Sequence, residues 1–97
     1  MNKLPDYDVI VWLYSNKFGK KLAEEILSGI NIMPYESFES DGVLDIHWGF
    51  DDWKEAVHFS KKPKNFINNP NLILLKASNL KNTDASIIYK DERMKKS

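Results

Sequence analysis

The chain has 97 residues, no cysteine, a formal net charge of zero, 42% hydrophobic residues and 29% charged residues. This is the composition of one ordinary globular domain, and the lack of cysteine excludes disulfides, thiolate chemistry and every zinc site that needs sulfur. No run approaches the ~20 apolar residues that would span a bilayer, and the N-terminus does not resemble a signal peptide. We therefore expect a single-domain cytoplasmic protein that does not contact a membrane.

The first third of the chain predicts a strand followed by a helix. Residues 8–14 are β-branched and aromatic, a pattern typical of a strand buried on both faces or nearly so. Ser15 and Asn16 supply an N-cap for the helix, and Gly29 predicts its end through a backbone with positive φ. A spacing of four residues predicts that the buried stripe of this helix comprises Phe18, Leu22 and Ile26.

The middle of the chain predicts a strand and a second helix. Residues 30–40 mix Pro34 with apolar side chains, and we interpret them as an edge strand or an irregular packed segment. Residues 43–50 alternate in polarity, which predicts a strand with one core face and one wetter face. Asp52 fits the N-cap of the second helix, and Pro63 ends or interrupts it. The predicted stripe of this helix comprises Trp53, Ala56, Val57 and Ser60.

The last third predicts a hairpin. Residues 72–75 form a short apolar run and residues 85–90 alternate in polarity, so we expect two strands joined by a polar loop. Residues 91–97 are expected to fray. The order strand, helix, optional edge strand, strand, helix, strand, strand predicts an α+β two-layer sandwich. Its two helices would cover a four- or five-stranded mixed or antiparallel sheet, in a ferredoxin-like or split βαβ arrangement.

The charges are unevenly distributed although they cancel over the whole chain. Residues 36–55 carry seven acids against one base, Lys54, and residues 56–97 carry nine bases against three acids. The acidic block also contains Trp48 and Trp53, and acids mixed with aromatics suit a surface that meets a basic protein. The alternative is a solvated loop and helix start. The predicted partner-binding residues are Glu36, Glu39, Asp41, Asp45, His47, Asp51 and Asp52.

The sequence contains no recognisable catalytic motif. Asp45 and His47 share the wetter face of a predicted strand, where they could orient a general base or a metal ligand, or be incidental neighbours. His58 is expected at the surface. No nucleophile elbow, phosphate-binding glycine loop or metal-spaced histidine pair occurs, so we predict no catalytic residue, no cofactor and no metal. A single arginine and a pI near 6.7 argue against direct nucleic-acid binding.

Two stretches carry a resemblance to a known class of proteins. Residues 45–59 (Asp-Ile-His-Trp-Gly-Phe-Asp-Asp-Trp-Lys-Glu-Ala-Val-His-Phe) and residues 86–91 (Ser-Ile-Ile-Tyr-Lys-Asp) resemble the small cytoplasmic immunity proteins of bacterial contact-dependent growth inhibition and related toxin systems. The resemblance covers roughly the C-terminal half of the chain. It implies a protein that binds one cognate toxin domain, often a nuclease, and blocks or covers its active site.

A second likeness supports an alternative function. Trp53-Lys-Glu-Ala, followed by Pro63, is similar to the small antibiotic-biosynthesis monooxygenase-like domains, which dimerise through their sheets and bind apolar substrates between helix and sheet. It implies a small enzyme or ligand-binding domain with a cavity lined by Trp12, Ile46 and Trp48. We favour the first likeness. The expected protein is then a non-catalytic toxin inhibitor, a monomer or weak homodimer, whose partner is a basic toxin domain with nuclease activity.

Overall fold

The computed structural model describes residues 4–82 and 87–91, and these residues form two helices and one five-stranded sheet. The predicted α+β two-layer sandwich is confirmed, because both helices lie against one face of the sheet. The elements in chain order are β1 (Tyr7–Tyr14), α1 (Lys17–Ser28), β2 (Glu36–Ser40), β3 (Val43–Phe50), α2 (Trp53–Lys64), β4 (Leu72–Asn79) and β5 (Ile87–Asp91).

The sheet has the strand order β2-β3-β1-β4-β5, and each neighbouring pair is antiparallel. Strand β1 is therefore central, with β3 on one side and β4 on the other. The order β4-β1-β3-β2, with one helix after β1 and one after β3, is the ferredoxin-like arrangement that the sequence predicts. Strand β5 extends this sheet beyond β4, so that β4 is paired on both sides.

The hydrophobic core lies between the helices and one face of the sheet. Val9, Val11 and Leu13 of β1 are all fully buried there, because side chains alternate between the two faces of a strand. Trp48 of β3 is also fully buried, and its ring centroid lies 5.1 Å from that of Phe59 on α2. Each such side chain contributes about 1.5–3 kcal/mol by its burial. The even-numbered positions of β1 consequently face away from both helices.

The buried stripes of the two helices agree only in part with the predicted ones. In α1 the buried residues are Gly19, Leu22, Ala23 and Ile26. Phe18 lies about 100° around the helix from Gly19, and it is 67% exposed, so its predicted core position is wrong. In α2 the buried residues are Ala56, Phe59, Ser60 and Pro63, while Trp53 and Val57 are only half-buried. His58 is exposed, as expected.

Both helices begin as predicted, and α1 also ends at Gly29 as predicted, although with a different backbone conformation. The side chains of Asn16 and Asp52 each accept a backbone N–H from the first turn, at 2.8 Å and 3.3 Å, which confirms both N-caps. Gly29 has φ −89°, so α1 does not end in the predicted left-handed conformation; its N–H instead bonds back to helix carbonyls in a right-handed turn. Pro63 lies inside the last turn of α2, which continues to Lys64.

Residues 36–40 form an edge strand, and residues 30–35 are irregular, so the segment contains both of the predicted alternatives. All five residues of β2 are exposed. A two-residue turn joins β2 to β3, and its residues Asp41 and Gly42 have φ values of 55° and 80°. Positive φ at both central positions is typical of the tight hairpin turn that matches strand twist. The irregular residues are anchored by the Trp48 indole, which donates to the carbonyl of Ile32 at 3.0 Å.

The C-terminal hairpin is confirmed, with different bounds. Strand β4 continues to Asn79, beyond the predicted end at Leu75, because β1 and β5 pair along both of its edges. Strand β5 begins at Ile87, while residues 85 and 86 of the predicted strand lie outside the described residues. Asp91 is the last residue of β5, so the frayed tail does not begin there, and residues 92–97 lie outside the described residues.

Candidate functional site

The face of the sheet turned away from the helices, called the open face below, carries a cluster of polar side chains. The antiparallel register places Trp12 of β1 opposite Asp45 of β3, and Ile10 opposite His47. Asp8 of β1 points to the same face, two residues before Ile10. Tyr35, which belongs to the irregular segment before β2, also reaches over the open face. The polar cluster comprises Asp8, Trp12, Tyr35, Asp45 and His47.

His47 lies between two carboxylates. Its Nδ1 is 3.3 Å from Asp8 Oδ2, and its Nε2 is 2.7 Å from Asp45 Oδ1. An imidazole that meets a carboxylate at both nitrogens needs a hydrogen on each, which is the protonated form. Burial, the largest single influence, lowers the pKa of His47, but the hydrogen bond to Asp8 and the charges of both carboxylates together outweigh it. The pKa is therefore raised above its usual 6.5.

Asp8 is the buried member of the cluster, with only 2% of its surface exposed. Its Oδ2 accepts the hydroxyl of Tyr35 at 3.0 Å as well as the contact from His47. Burial, followed by the charge and hydrogen bond of Asp8, raises the pKa of Tyr35 well above its usual 10.0. Asp8 Oδ1 and the facing Ser78 Oγ are buried with no hydrogen-bond partner among the described residues. Burying a carboxylate without a compensating charge costs free energy, so the burial of Asp8 depends on the charge of His47.

Asp45 is the accessible member of the cluster, and its side chain is 28% exposed. Both of its donors, the Trp12 indole at 2.8 Å and His47 at 2.7 Å, meet Oδ1. Oδ2 is therefore open to a further donor. Asp45 also lines a cavity of about 500 Å³, named the acidic cavity, between β1, β3 and the end of β2. Phe38 forms another part of its wall and is 51% exposed.

The structure places the seven predicted partner-binding residues in three locations. Glu36, Asp45 and His47 share the open face, because Glu36 is opposite His47 in the register of β2 and β3. Asp41 lies in the adjoining turn and lines the acidic cavity. Glu39 points to the other face, and its Oε2 lies 3.7 Å from the Nζ of Lys20.

Asp51 and Asp52 lie at the far end of β3 from Asp41. An eight-residue strand is roughly 26 Å long, so these two acids are remote from the acidic cavity. Asp52 serves as the N-cap of α2. The acidic block is therefore not one contiguous patch: four of its predicted residues (Glu36, Asp41, Asp45 and His47) stay together.

Sequence reasoning missed three members of the cluster, Asp8, Trp12 and Tyr35, and it placed Trp12 only in the cavity of the alternative function. An acid within the otherwise apolar first strand is a signal for Asp8, since such a residue needs a partner across the sheet. Tyr35 gives no comparable signal, because it reaches the cluster from an irregular segment whose path is not encoded by periodicity.

A second cavity, of about 1120 Å³, is separated from the polar cluster by Tyr35, which lines it. It lies between residues 4–6, the irregular segment before β2 and α2, and its walls mix the apolar Leu4 and Met33 with charged residues such as Asp51 and Lys54. The cavity proposed for a monooxygenase-like domain is not formed by its predicted residues. Ile46 and Trp48 are buried in the core, whereas Trp12 lies on the open face.

Three further findings concern the chain as a whole. Within residues 4–82 and 87–91, no group of three or more histidine, cysteine, aspartate or glutamate side chains is arranged to hold a metal ion. No helix in the same ranges has the length and apolar character needed to cross a membrane. Comparison with protein families, with curated proteins and with solved structures gave no match.

Proposed function

We propose that this protein is a non-catalytic inhibitor of the immunity-protein type, which binds a basic toxin domain through its open face. The single observation that carries the proposal is that the part of this face formed by β2, β3 and β1 combines carboxylates with accessible aromatic rings. The partner we favour is a cytoplasmic nuclease domain, because a nuclease holds a basic cleft for phosphates that carboxylates can occupy.

The open face has the composition of a binding surface. Phe38 and Tyr14 are 51% and 42% exposed, and neither helix covers them. Large side chains of this kind, especially tyrosine, supply much of the binding energy at protein interfaces. A sheet face with such anchors gives a partner apolar contacts to bury, in addition to charge.

The charge of this surface favours a basic partner. Asp8, Glu36 and Asp45 share the face with one histidine, His47, whose pKa is raised by its contacts with two of these carboxylates, and Asp41 adds a further negative charge at the turn. Among the described residues of the open face, a lysine is found on β4, where Lys76 lies opposite Ile10. A local excess of acid attracts a basic domain over distances of about 10 Å at ~0.1 M salt, and over longer distances at lower salt.

The state of His47 favours binding over catalysis. A general base needs a ring nitrogen with a free lone pair near the reacting proton. Both nitrogens of His47 instead face carboxylate oxygens, at 3.3 Å and 2.7 Å, and its raised pKa favours the proton-bound form. The polar cluster is therefore suited to holding the face in shape and setting its charge.

The proposal predicts that a toxin domain is encoded directly upstream of this chain, and calorimetry with that domain is the test. We expect a Kd below about 1 μM that weakens strongly as NaCl rises from ~0.05 M to ~0.5 M. The double variant Glu36→Gln/Asp45→Asn should weaken binding at least about tenfold. Its matched control, Glu24→Gln/Glu25→Gln, removes the same charge from the exposed side of α1 and should bind like the wild type. Absence of binding at micromolar concentrations would refute the proposal.

A further inference from the structure

The acidic cavity has walls of two chemical kinds. Trp12 and Phe38 contribute aromatic surface, and Val43 adds an aliphatic patch. Asp41 and Asp45 contribute the acids, and Glu39 also lines the cavity although its carboxylate is turned to the other face, 3.7 Å from Lys20. Its volume of about 500 Å³ is within the range of small-ligand sites, which run from ~300 to ~1000 Å³. The cavity is thus large enough to take one long side chain together with its flanking backbone.

The charge of the cavity is negative and incompletely balanced. Its lining contains no lysine, arginine or histidine among the described residues. Lys20 lies 3.7 Å from Glu39, and His47 is shared between Asp45 and Asp8, so one imidazole faces two carboxylates. Asp41 has no lysine within ion-pair distance in the described ranges. The two donors to Asp45 both meet Oδ1, so its Oδ2 can accept from an occupant.

We propose that the acidic cavity receives one arginine side chain of the basic partner, an inference that rests on the proposed function. A guanidinium group stacks on aromatic faces and donates in a fixed fork to a carboxylate, and it is more weakly hydrated than an ammonium. Its aliphatic stem can pack against apolar wall atoms. Phe38, which is 51% exposed, supplies an aromatic face and Asp45 supplies the acceptor, while Trp12 adds apolar wall beside them.

The position of the cavity suits a side chain of the partner that is buried in the interface, rather than one that stays at its solvent-exposed rim. It adjoins the polar cluster through Asp45, whose Oδ1 is held by Trp12 at 2.8 Å and His47 at 2.7 Å. The acceptor is therefore pre-oriented before the partner arrives, and less side-chain entropy is lost on binding. Phe38 lies on the edge strand β2, where it is open to approach from solvent.

Proton–nitrogen NMR titration with the probe acetyl-Gly-Arg-Gly-amide tests the inference on the full chain. We expect saturable shifts of the Trp12 indole N–H and the Asp45 amide, with a Kd on the order of millimolar, as suits one side chain. The citrulline peptide has the same shape without the charge and should give no saturable shift. The lysine peptide should bind at least about threefold more weakly, because it lacks the planar fork.

Variants complete the test. Phe38→Ala and Asp45→Asn should each weaken arginine-peptide binding at least about fivefold. Phe18→Ala on α1 and Asp51→Asn at the far end of β3 make the same chemical changes elsewhere and should leave it unchanged. Equal binding of citrulline or lysine peptides, or equal losses in the control variants, would overturn the assignment.

The same variants separate this inference from the proposed function. If the toxin domain binds Phe38→Ala as tightly as the wild type, the inference fails while the inhibitor proposal stands. If the arginine peptide binds as expected and the toxin domain does not bind at all, the inhibitor proposal fails and the cavity is a site for another source of guanidinium.

Discussion

His47 determines the electrostatics of the open face. It is held between Asp8 and Asp45, and the more buried of these carboxylates has 3% of its side chain exposed. A neutral imidazole has one N–H and could satisfy only one of the two acids, leaving a lone pair against the other. Loss of the proton would thus leave a carboxylate poorly compensated and increase the negative charge of the face. Stability and surface charge are coupled through this one ring.

The first prediction concerns the pH dependence of stability. Because the pKa of His47 is raised on folding, its stabilising contribution is complete below about pH 6.5 and is lost as pH rises through the folded-state pKa. Urea denaturation should show that the free energy of unfolding of the wild type falls between ~pH 6 and ~pH 9. The fall should be smaller in His47→Gln. The exposed His58→Gln is the control and should retain the wild-type dependence. An identical pH dependence in all three proteins would contradict this role.

The site was only partly predictable at the level of single residues. Asp45 and His47 could be paired from the sequence because residues two apart share one face of a strand. Asp8 joins them only through the register between β1 and β3, which depends on how the whole sheet assembles. Tyr35 joins from an irregular segment that is fixed by a tertiary hydrogen bond, from the Trp48 indole to Ile32. Contacts that depend on strand pairing or on loops cannot be predicted from the hydrophobic periodicity of the sequence.

At the scale of elements, the position of the N-terminal segment over β3 depends on a glycine. A Cβ atom at Gly49 would lie 2.8 Å from Pro5 Cγ and 3.1 Å from Tyr35 Cδ1. The absence of a side chain lets Pro5 cross the open-face side of β3 and pack beside Tyr35, whose hydroxyl donates to Asp8. The packing of this segment and the geometry of the polar cluster are consequently linked.

The second prediction follows from this close approach. Gly49→Ala should lower the free energy of unfolding by about 1–3 kcal/mol, because the added methyl group overpacks a filled contact. In a Pro5→Gly background the loss should be smaller by roughly 1 kcal/mol, since both clashing atoms, Cγ at 2.8 Å and Cβ at 2.9 Å, are gone. Gly29→Ala is the matched control: its added Cβ would come no closer than 3.6 Å to any atom, and the change should stay within ~0.5 kcal/mol. Equal losses at both glycines, with no coupling to Pro5, would contradict the packing described.

Most elements could be predicted from local sequence, with two instructive exceptions. Strand β3 follows directly from its alternation, and Trp48 is fully buried as expected. Strand β2 was predicted only as one of two alternatives, although the Asp41-Gly42 pair is a strong hairpin signal and takes positive φ at both positions. Phe18 was assigned to the core from its spacing, but the stripe of α1 passes through Gly19 instead. In α1, which residue of the first turn is buried depends on where the helix meets the sheet.

At the scale of the whole molecule, a net charge of zero conceals two differently charged sides. The open face near β2 and β3 is acidic, whereas the last turn of α2, on the opposite side of the sheet, carries Lys61, Lys62 and Lys64. Such an asymmetric charge distribution orients the molecule as it approaches a basic partner. Glu36, Asp41 and Asp45 act together in this account, while Glu39 lies on the other face and Asp51 and Asp52 are remote.

The measurement that tests the central claim most directly is an NMR map of the complex with the toxin domain, made on the wild-type chain. Backbone amides of β2 and β3 from Glu36 to His47, together with the Trp12 indole N–H, should show the largest changes on binding. Amides on the exposed side of α1, around Glu24 and Glu25, should change little. A complex whose changes are confined to α1 and α2, with the open face unaffected, would contradict the claim that this face binds the partner.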